Sequence, residues 1–444
     1  MTAVQRICLS GIVKNETGII ERGLASFLPI INTWCIMDTG STDGTQEKIR
    51  NFFASRGIEG ELHEEAFVDF EYTRNSCLAK VRAMLKPGDY CVHMDADEIL
   101  VLEPGFKLPQ PLTCTQYTMD IQHGCRFSRT RIYDPFKYEW QFPTHEALVS
   151  IEGVIETCLL LTKSWIDSRT DGARAKDSTR WLKDASTLDT AIEVREKGDL
   201  WRGKPLKLSR LYFYSGNSYH HAGEYEKALQ RYEQRIAINE FDEEIFQARY
   251  MRAKSKKALN RPREEVVGAF LEAYLYRPTR YEPIYHLIVY LMEGGEYDGA
   301  RLFASQMMKA VAPPDVLFVE DWCYREGKRL SGLLLNPTPA EAIQLATHQY
   351  INKKWSTVLE TLKPLKVKTL TPQDKFTYHD LTQIAMSWLG RKNEGLAAVL
   401  KIFNMPVKHW RPHLKRMVET YIDYYGQSLE LLSEEIKQEY GGTK

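Results

Sequence analysis

Arg6-Ile7-Cys8-Leu9-Ser10-Gly11-Ile12-Val13, then the polar Lys14-Asn15-Glu16, a helical pattern to Leu28, and Thr33-Trp34-Cys35-Ile36-Met37-Asp38 form the opening stretch on which the fold turns. Two apolar runs of strand length flank a segment that sets Ile19, Ile20, Leu24 and Phe27 on one helical face. The alternation then continues. A helix is expected from Asp43, with Gln46 completing a capping box and Gly57 ending it. A strand near Gly60 to Phe67, a helix near Arg74 to Leu85 and a strand over Asp89 to Asp95 follow. Strands separated by helices predict an α/β domain with a mostly parallel, Rossmann-like sheet. In such sheets ligands lie beyond the carboxyl ends of the strands. The polar clusters Asn15-Glu16, Asp38 to Asp43 and Asp95 to Glu98 fall at those ends.

Outward from this core the pattern changes. Cys114 to Leu161 is strand-like, and Thr162 to Lys207 is charged and only partly periodic. Beyond it helical patterns recur. Tyr212, Gly216, Tyr219, Gly223, Tyr225, Ala228 and Tyr232 have tetratricopeptide spacing. Weaker copies carry Gly295, Tyr297 and Ala300, then Ala346 with Trp355, then Ala385 with Trp388 and Ala397. The division expected is an α/β domain over 1–165, a helical linker over 166–207, and an all-α helical repeat domain over 208–444. Such repeats bury their apolar stripes only against their neighbours and present a long concave face. That face suits recognition of a polypeptide, assembly into a homo-oligomer, or simple cover for the first domain.

Bulk properties narrow the function classes. Of 444 residues, 43% are hydrophobic, enough for a sizeable core, and 59 Lys+Arg balance 59 Asp+Glu. A balanced charge argues against a general nucleic-acid binder. No apolar run reaches the length of a membrane span. Met1 to Ser10 lacks a basic leader and a long apolar segment, so no secretory signal is expected. The eight cysteines are scattered without a CxxC pair, which suits a reduced cytoplasmic chain with buried thiols.

The chemistry concentrates at Met94-Asp95-Ala96-Asp97-Glu98, after the apolar Tyr90 to His93. If the strand persists, Asp95 and Asp97 point to one side of the sheet. Carboxylates so close repel unless a cation lies between them, and hard divalent ions take such oxygens together with substrate phosphates. Asp38-Thr39-Gly40-Ser41-Thr42-Asp43-Gly44-Thr45 follows another buried strand. Its glycines permit a sharp turn and close approach of a ligand. Asp38 is placed to accept hydrogen bonds from a base or ribose, and Asp43 to cap a helix.

Val13-Lys14-Asn15-Glu16, the Asp38 to Thr45 segment, Phe70-Glu71-Tyr72-Thr73-Arg74-Asn75 and His93 to Glu98, in this order and spacing, resemble the family 2 glycosyltransferases. Pro143-Thr144-His145-Glu146 is similar to a His-Glu element of one branch, which includes bacteriocin S-glycosyltransferases with tetratricopeptide-like C-terminal domains. The resemblance covers roughly residues 5 to 165. It implies an A-type glycosyltransferase fold, a nucleotide-sugar donor, usually a UDP-sugar, Mn²⁺ or Mg²⁺, and transfer with inversion to a protein, peptide or glycan acceptor. By position, Asp38 would hold the uracil or ribose, and Glu16 and Arg74 would line the nucleotide pocket. Asp97 would ligate the metal, Asp95 would contact it or the ribose, and His145 would be a third ligand, since imidazole suits Mn²⁺. Arg131 or Arg129 would neutralise the leaving diphosphate.

A carboxylate must take the acceptor's proton. Glu146 is the first choice, with Asp134 and Glu98 as alternatives. A thiol acceptor would need little base strength. The chain departs from the branch at Lys163-Ser164-Trp165-Ile166-Asp167, where a His-Gly-Tyr-like element is expected. That leaves open which residue closes over the donor. Two other classes compete. One is a repeat-based interaction scaffold with a degenerate catalytic domain. The other is a nucleotidyltransferase, which would want a glycine-rich, lysine-bearing phosphate loop where Ser10 to Glu16 has a single glycine.

Overall fold

The computed structural model describes residues 5–123, 125–314 and 317–441. Residues 1–4 of the stretch read as free of a leader lie outside the described residues, as do residues 442–444 of the repeat region. The chain forms two compact units, one of Met1–Arg280 with Ala312–Trp322 and one of Tyr281–Val311 with Cys323–Lys444.

The first unit begins with β1 (Ile7–Val13), α1 (Ile20–Phe27), β2 (Thr33–Asp38), α2 (Thr45–Ala54), β3 (Gly60–Glu64), α3 (Phe70–Met84) and β4 (Tyr90–His93). β1, β2 and β4 are apolar on both faces because helices cover both, and nearly all their residues are buried. One face packs on Leu24, Phe27, Ile49 and Phe53, the other on Cys77, Leu78 and Val81. Fully burying a side chain such as Phe27 or Phe53 contributes roughly 2–3 kcal/mol. Gly11 lets β1 pass close to the chain beyond β4, since a β-carbon there would stand 2.7 Å from the Met94 carbonyl oxygen.

β5 (Glu98–Leu102), the hairpin β6 (Gln116–His123) and β7 (Cys125–Tyr133), and β10 (Cys158–Ser168) complete an eight-stranded sheet ordered β3-β2-β1-β4-β7-β6-β10-β5. The β3-β2-β1-β4 half is parallel, while β7 runs antiparallel to β4 and to β6. A hairpin leaves no room for the crossover that parallel pairing needs. A separate pair, β8 (Tyr138–Gln141) and β9 (Ala147–Ser150), carries the Pro143 to Glu146 segment between its strands. Residues 162–168, read as the start of a linker, are the second half of β10. That half pairs antiparallel with β5, Ser168 opposite Glu98, and so returns the chain to the end of β4.

Several local expectations are corrected. Asp43 and Gln46 form no capping box, and α2 starts at Thr45 behind Gly44, whose φ is +89°. Asp43 instead accepts from Thr45 and from the Thr17 amide, and Gln46 donates to Asp38 and to the Ser41 carbonyl. α3 starts four residues earlier than its apolar spacing suggested, because the Asp69 carboxylate caps it by accepting from the Tyr72 amide.

The unit continues with α4 (Arg180–Glu196), α5 (Leu208–His221), α6 (Tyr225–Ile236), α7 (Asp242–Ala258) and α8 (Arg263–Tyr276). The α5–α6 hairpin turns at Gly223, φ +81°. Gly216 lets its helices close, since a β-carbon there would lie 2.8 Å from the Tyr232 ring. The second unit is helical. It includes α9 (Glu282–Glu293), α10 (Tyr297–Met307), α12 (Pro339–Ile351), α13 (Trp355–Leu362), α14 (Pro372–Trp388) and α15 (Lys392–Phe403), with α11 (Asp321–Leu335) starting in the first unit. Ala300, Ala346 and Ala385 are buried as the repeat reading expects. In α15 the buried small residues are Gly395 and Ala398, whereas Ala397 is exposed. Among the described residues no helix is long and apolar enough to cross a membrane.

Candidate active site

At the carboxyl ends of β1 and β2 two loops interlock. Asn15, at φ +55°, donates its amide to Ser41 and accepts from the Thr42 amide, each at 2.8 Å. The Glu16 amide reaches Thr45 at 2.8 Å. Asp38 is fully buried. Its Oδ1 accepts from the Gly40 and Ser41 amides and from Gln46, while its Oδ2 has no partner. A buried carboxylate oxygen lacking a donor costs free energy that a ligand N–H or O–H would relieve.

Beyond β4 the strand does not persist. Residues 94–97 form a tight turn in which the Glu98 amide donates to the Asp95 carbonyl at 3.1 Å, and the Asp95 amide to the Glu98 carboxylate at 2.9 Å. Asp95 and Asp97 therefore stand on a turn rather than on one strand face.

Arg74 of α3 is the hub of this region. It is 5% exposed and meets Glu146 Oε1 at 2.7 Å, Asp95 Oδ1 at 2.8 Å and His93 at 2.8 Å. Burial alone would pull its pKa down, but Glu146 and Asp95 outweigh burial and hold it above the usual range. Burial and the Arg74 charge push His93 down to about 4, so it is a neutral imidazole, with its ring against Trp140. Burial opposes ionisation of Asp95 and Glu146, yet Arg74 keeps both carboxylates below their ordinary values. α3 holds this hub through Asn75, which exchanges two 2.9 Å hydrogen bonds with the Trp140 backbone.

Asp97 has the opposite environment. Burial, and then Asp95, Glu98 and Glu16, raise its pKa to about 7. Glu16, half-buried, is also raised, first by burial. Arg131 offsets part of this negative charge, at Glu98 and Asp95, but is not among the groups that act on Asp97. It is 1% exposed and closes on Glu98, with Nη1 at 2.7 Å. Arg129 acts instead on Glu146, whose pKa it helps to lower. Asp134 stands apart, paired with Lys137 at 3.2 Å.

His145 has φ +51° and stacks on Tyr214 of α5, ring centres 4.6 Å apart. Burial pushes its pKa down to about 4, and its Nε2 is buried without a partner. Asp97, raised by burial and by Asp95, Glu98 and Glu16, is the carboxylate whose charge a hard divalent cation would relieve; the orphaned imidazole nitrogen of His145 lies instead among Tyr214 and Trp181. Among the described residues, Asp95, Asp97 and His145 do not bring ligand atoms within 4.8 Å of one another.

Sequence reasoning missed two contributors. His93 was counted as an apolar strand residue. The segment after β10 was read as linker, yet its Ala173 amide donates to both Glu16 carboxylate oxygens, at 3.1 and 3.2 Å. The visible signal was Asp171-Gly172, a turn dipeptide inside a charged run.

No family model matches the chain. A TPR repeat-containing protein of Synechococcus elongatus is 30% identical over 154 residues, 32% of this chain and 36% of that protein. The chain thus spans about a third of that relative's length. Among solved structures, the C-terminal part of a TPR repeat-containing protein from Cytophaga hutchinsonii covers 60% of this chain and 93% of its own (14% identity, TM-score 0.28). Residues 1–349 of S. aureus TarS in complex with UDP cover 70% and 94% (10% identity, TM-score 0.23). The C-terminal half is built of helices, and its α5–α6 hairpin closes at Gly216 against Tyr232. The functional reading rests on the site's residues.

Proposed function

We propose that this chain is a glycosyltransferase that takes its sugar from a nucleotide-sugar donor of the UDP type. A divalent cation, Mn²⁺ or Mg²⁺, would be held by Asp97 and Asp95; His145, the further ligand implied by the resemblance, is not brought to them among the described residues. The observation that carries the reading is Asp97, a half-buried carboxylate whose pKa Asp95, Glu98 and Glu16 help to raise; at the end of β2, Asp38 adds a buried carboxylate oxygen that has no partner. A bound cation would offset the charge of the diphosphate as it leaves.

The chain's own residues do the rest. Asp38 accepts a hydrogen bond from the base or ribose of the donor, and Glu16 lines the same pocket. Arg74 fixes Asp95 and Glu146 at set positions and keeps both ionised, so neither must lose a proton before the donor binds. Glu146 receives the acceptor's proton. Its lowered pKa makes it a weak base, which suits an acidic acceptor such as a thiol better than a sugar hydroxyl. A single displacement at the anomeric carbon would invert configuration. The helical hairpins would present a protein, peptide or glycan acceptor, or join copies of the chain. The single glycine of the Ser10 to Glu16 segment, Gly11, is used by strand packing, which disfavours a nucleotidyltransferase phosphate loop.

The test is nucleoside diphosphate release from UDP-glucose, UDP-N-acetylglucosamine and GDP-mannose, with Mn²⁺ and with peptide thiols or water as acceptor. Mn²⁺-dependent release from one donor, abolished in Asp38→Ala, supports the reading. No release from any donor by folded protein would return the chain to an interaction scaffold.

A further inference from the structure

The segment Arg169 to Lys176 follows β10 and lies directly on the acidic cluster. Antiparallel pairing of β10 with β5 delivers it there, and the Arg169 amide donates to the Asp97 carbonyl at 3.2 Å. Asp171 then takes a two-pronged contact from Arg22 of α1, at 2.8 and 2.9 Å. At Gly172 the backbone is wedged between two candidate donor-site carboxylates, Glu16 and Asp97. A β-carbon there would stand 3.3 Å from Glu16 Oε1 and 3.4 Å from Asp97 Oδ2. The next amide, Ala173, is shared by both Glu16 oxygens.

We propose that Arg169 to Lys176 is an autoinhibitory strap: its backbone occupies the space between Glu16 and Asp97, and a cation or diphosphate gains that space only when the strap lifts. This rests on the reading of Asp97 and Glu16 as donor-site residues. The latch is the Ala173 N–H, and the clamp is the Arg22–Asp171 pair. Charge complementarity makes the contact self-limiting. The Ala173 amide partly satisfies a carboxylate that faces other carboxylates, and a divalent cation would satisfy it better.

The latch can be cut by one substitution. Ala173 opens a short 3-10 helix, where proline is tolerated. Gly172, with φ −66° and ψ 165°, has the extended conformation a residue before proline prefers. Ala173→Pro therefore removes the N–H that Glu16 accepts and sets a ring carbon against the carboxylate, with little disturbance to the local backbone. Ala173→Ser keeps the N–H. Asp171→Asn weakens the clamp from outside the cluster.

Calorimetry with Mn²⁺ alone, then with UDP added, reads the effect in the full-length chain. Ala173→Pro should bind Mn²⁺ about tenfold more tightly than wild type, the size of a lost hydrogen bond to a charged group. Asp171→Asn should shift affinity the same way by about threefold, as for a partly exposed ion pair. Ala173→Ser should match wild type. Hydrogen exchange at residues 169–176 should quicken when Mn²⁺ is added to wild type. Equal Mn²⁺ affinity in wild type and Ala173→Pro, or no Mn²⁺ binding by either, overturns the strap. Tighter Mn²⁺ binding in Ala173→Pro with no gain from UDP leaves the strap standing and removes the nucleotide reading.

Discussion

Arg131 closes on Glu98 with both terminal nitrogens, Nη1 at 2.7 Å, in a place where the two side chains are 1% and 3% exposed. A guanidinium held this way cannot reach a leaving diphosphate, and its first duty is to the turn that carries Asp95 and Asp97. Removing it would strand a buried carboxylate. Arg131→Met should therefore cost about 3–5 kcal/mol of stability, measured by denaturant unfolding. A fully stable Arg131→Met protein with a raised KM for the donor would restore it to the phosphate site.

Glu146 and Arg74 are coupled in the same way, but Arg74 keeps a second carboxylate in Asp95. Glu146→Gln should lose less stability, about 1–3 kcal/mol, while turnover falls by about a hundredfold or more through the lost proton acceptor. Glu146→Gln with full turnover would remove it from the chemistry.

Asp97 makes the site's response to pH predictable. Its folded pKa of about 7 lies above the ordinary 3.8. The folded chain therefore holds a proton that the unfolded chain releases. That contribution to stability is complete below about 4 and is lost as pH rises through about 7. Without metal, thermal stability should fall between about pH 4 and pH 7, and Asp97→Asn should flatten the fall. Mn²⁺ should reverse it in wild type only, and Mn²⁺ affinity should weaken as pH drops below about 7. A stability profile identical in wild type and Asp97→Asn contradicts this account.

Gly216 tests the repeat hairpin. A β-carbon there would sit 2.8 Å from a buried Tyr232 ring that cannot swing away. Gly216→Ala should destabilise the α5–α6 hairpin by about 1–3 kcal/mol, seen as an earlier unfolding transition. An unchanged transition would mean that the helices do not pack this closely.

The parallel half of the sheet was legible because β1, β2 and β4 are apolar runs punctuated by polar ends, a pattern that burial on both faces imposes. The candidate residues Asp38, Asp95 and Asp97 stood out for the same reason, since each ends or follows such a run, whereas Arg74 entered only through the resemblance. Arg131 misled because a strand arginine beside an acidic motif looks the same in sequence whether it meets substrate or Glu98. The strap was illegible. Its contacts with Glu16 join residues 157 positions apart, and its backbone N–H carries no residue signature. In α15 the buried position moved from Ala397 to Ala398, a one-residue shift that weak periodicity leaves free.

Whether Asp97 anchors a cation-dependent nucleotide site is decided by titrating UDP into the protein by calorimetry, with and without Mn²⁺. Wild type should bind UDP only when Mn²⁺ is present, and Asp97→Ala should lose this binding while remaining folded. UDP binding that is indifferent to Mn²⁺, or that survives in Asp97→Ala, would contradict it.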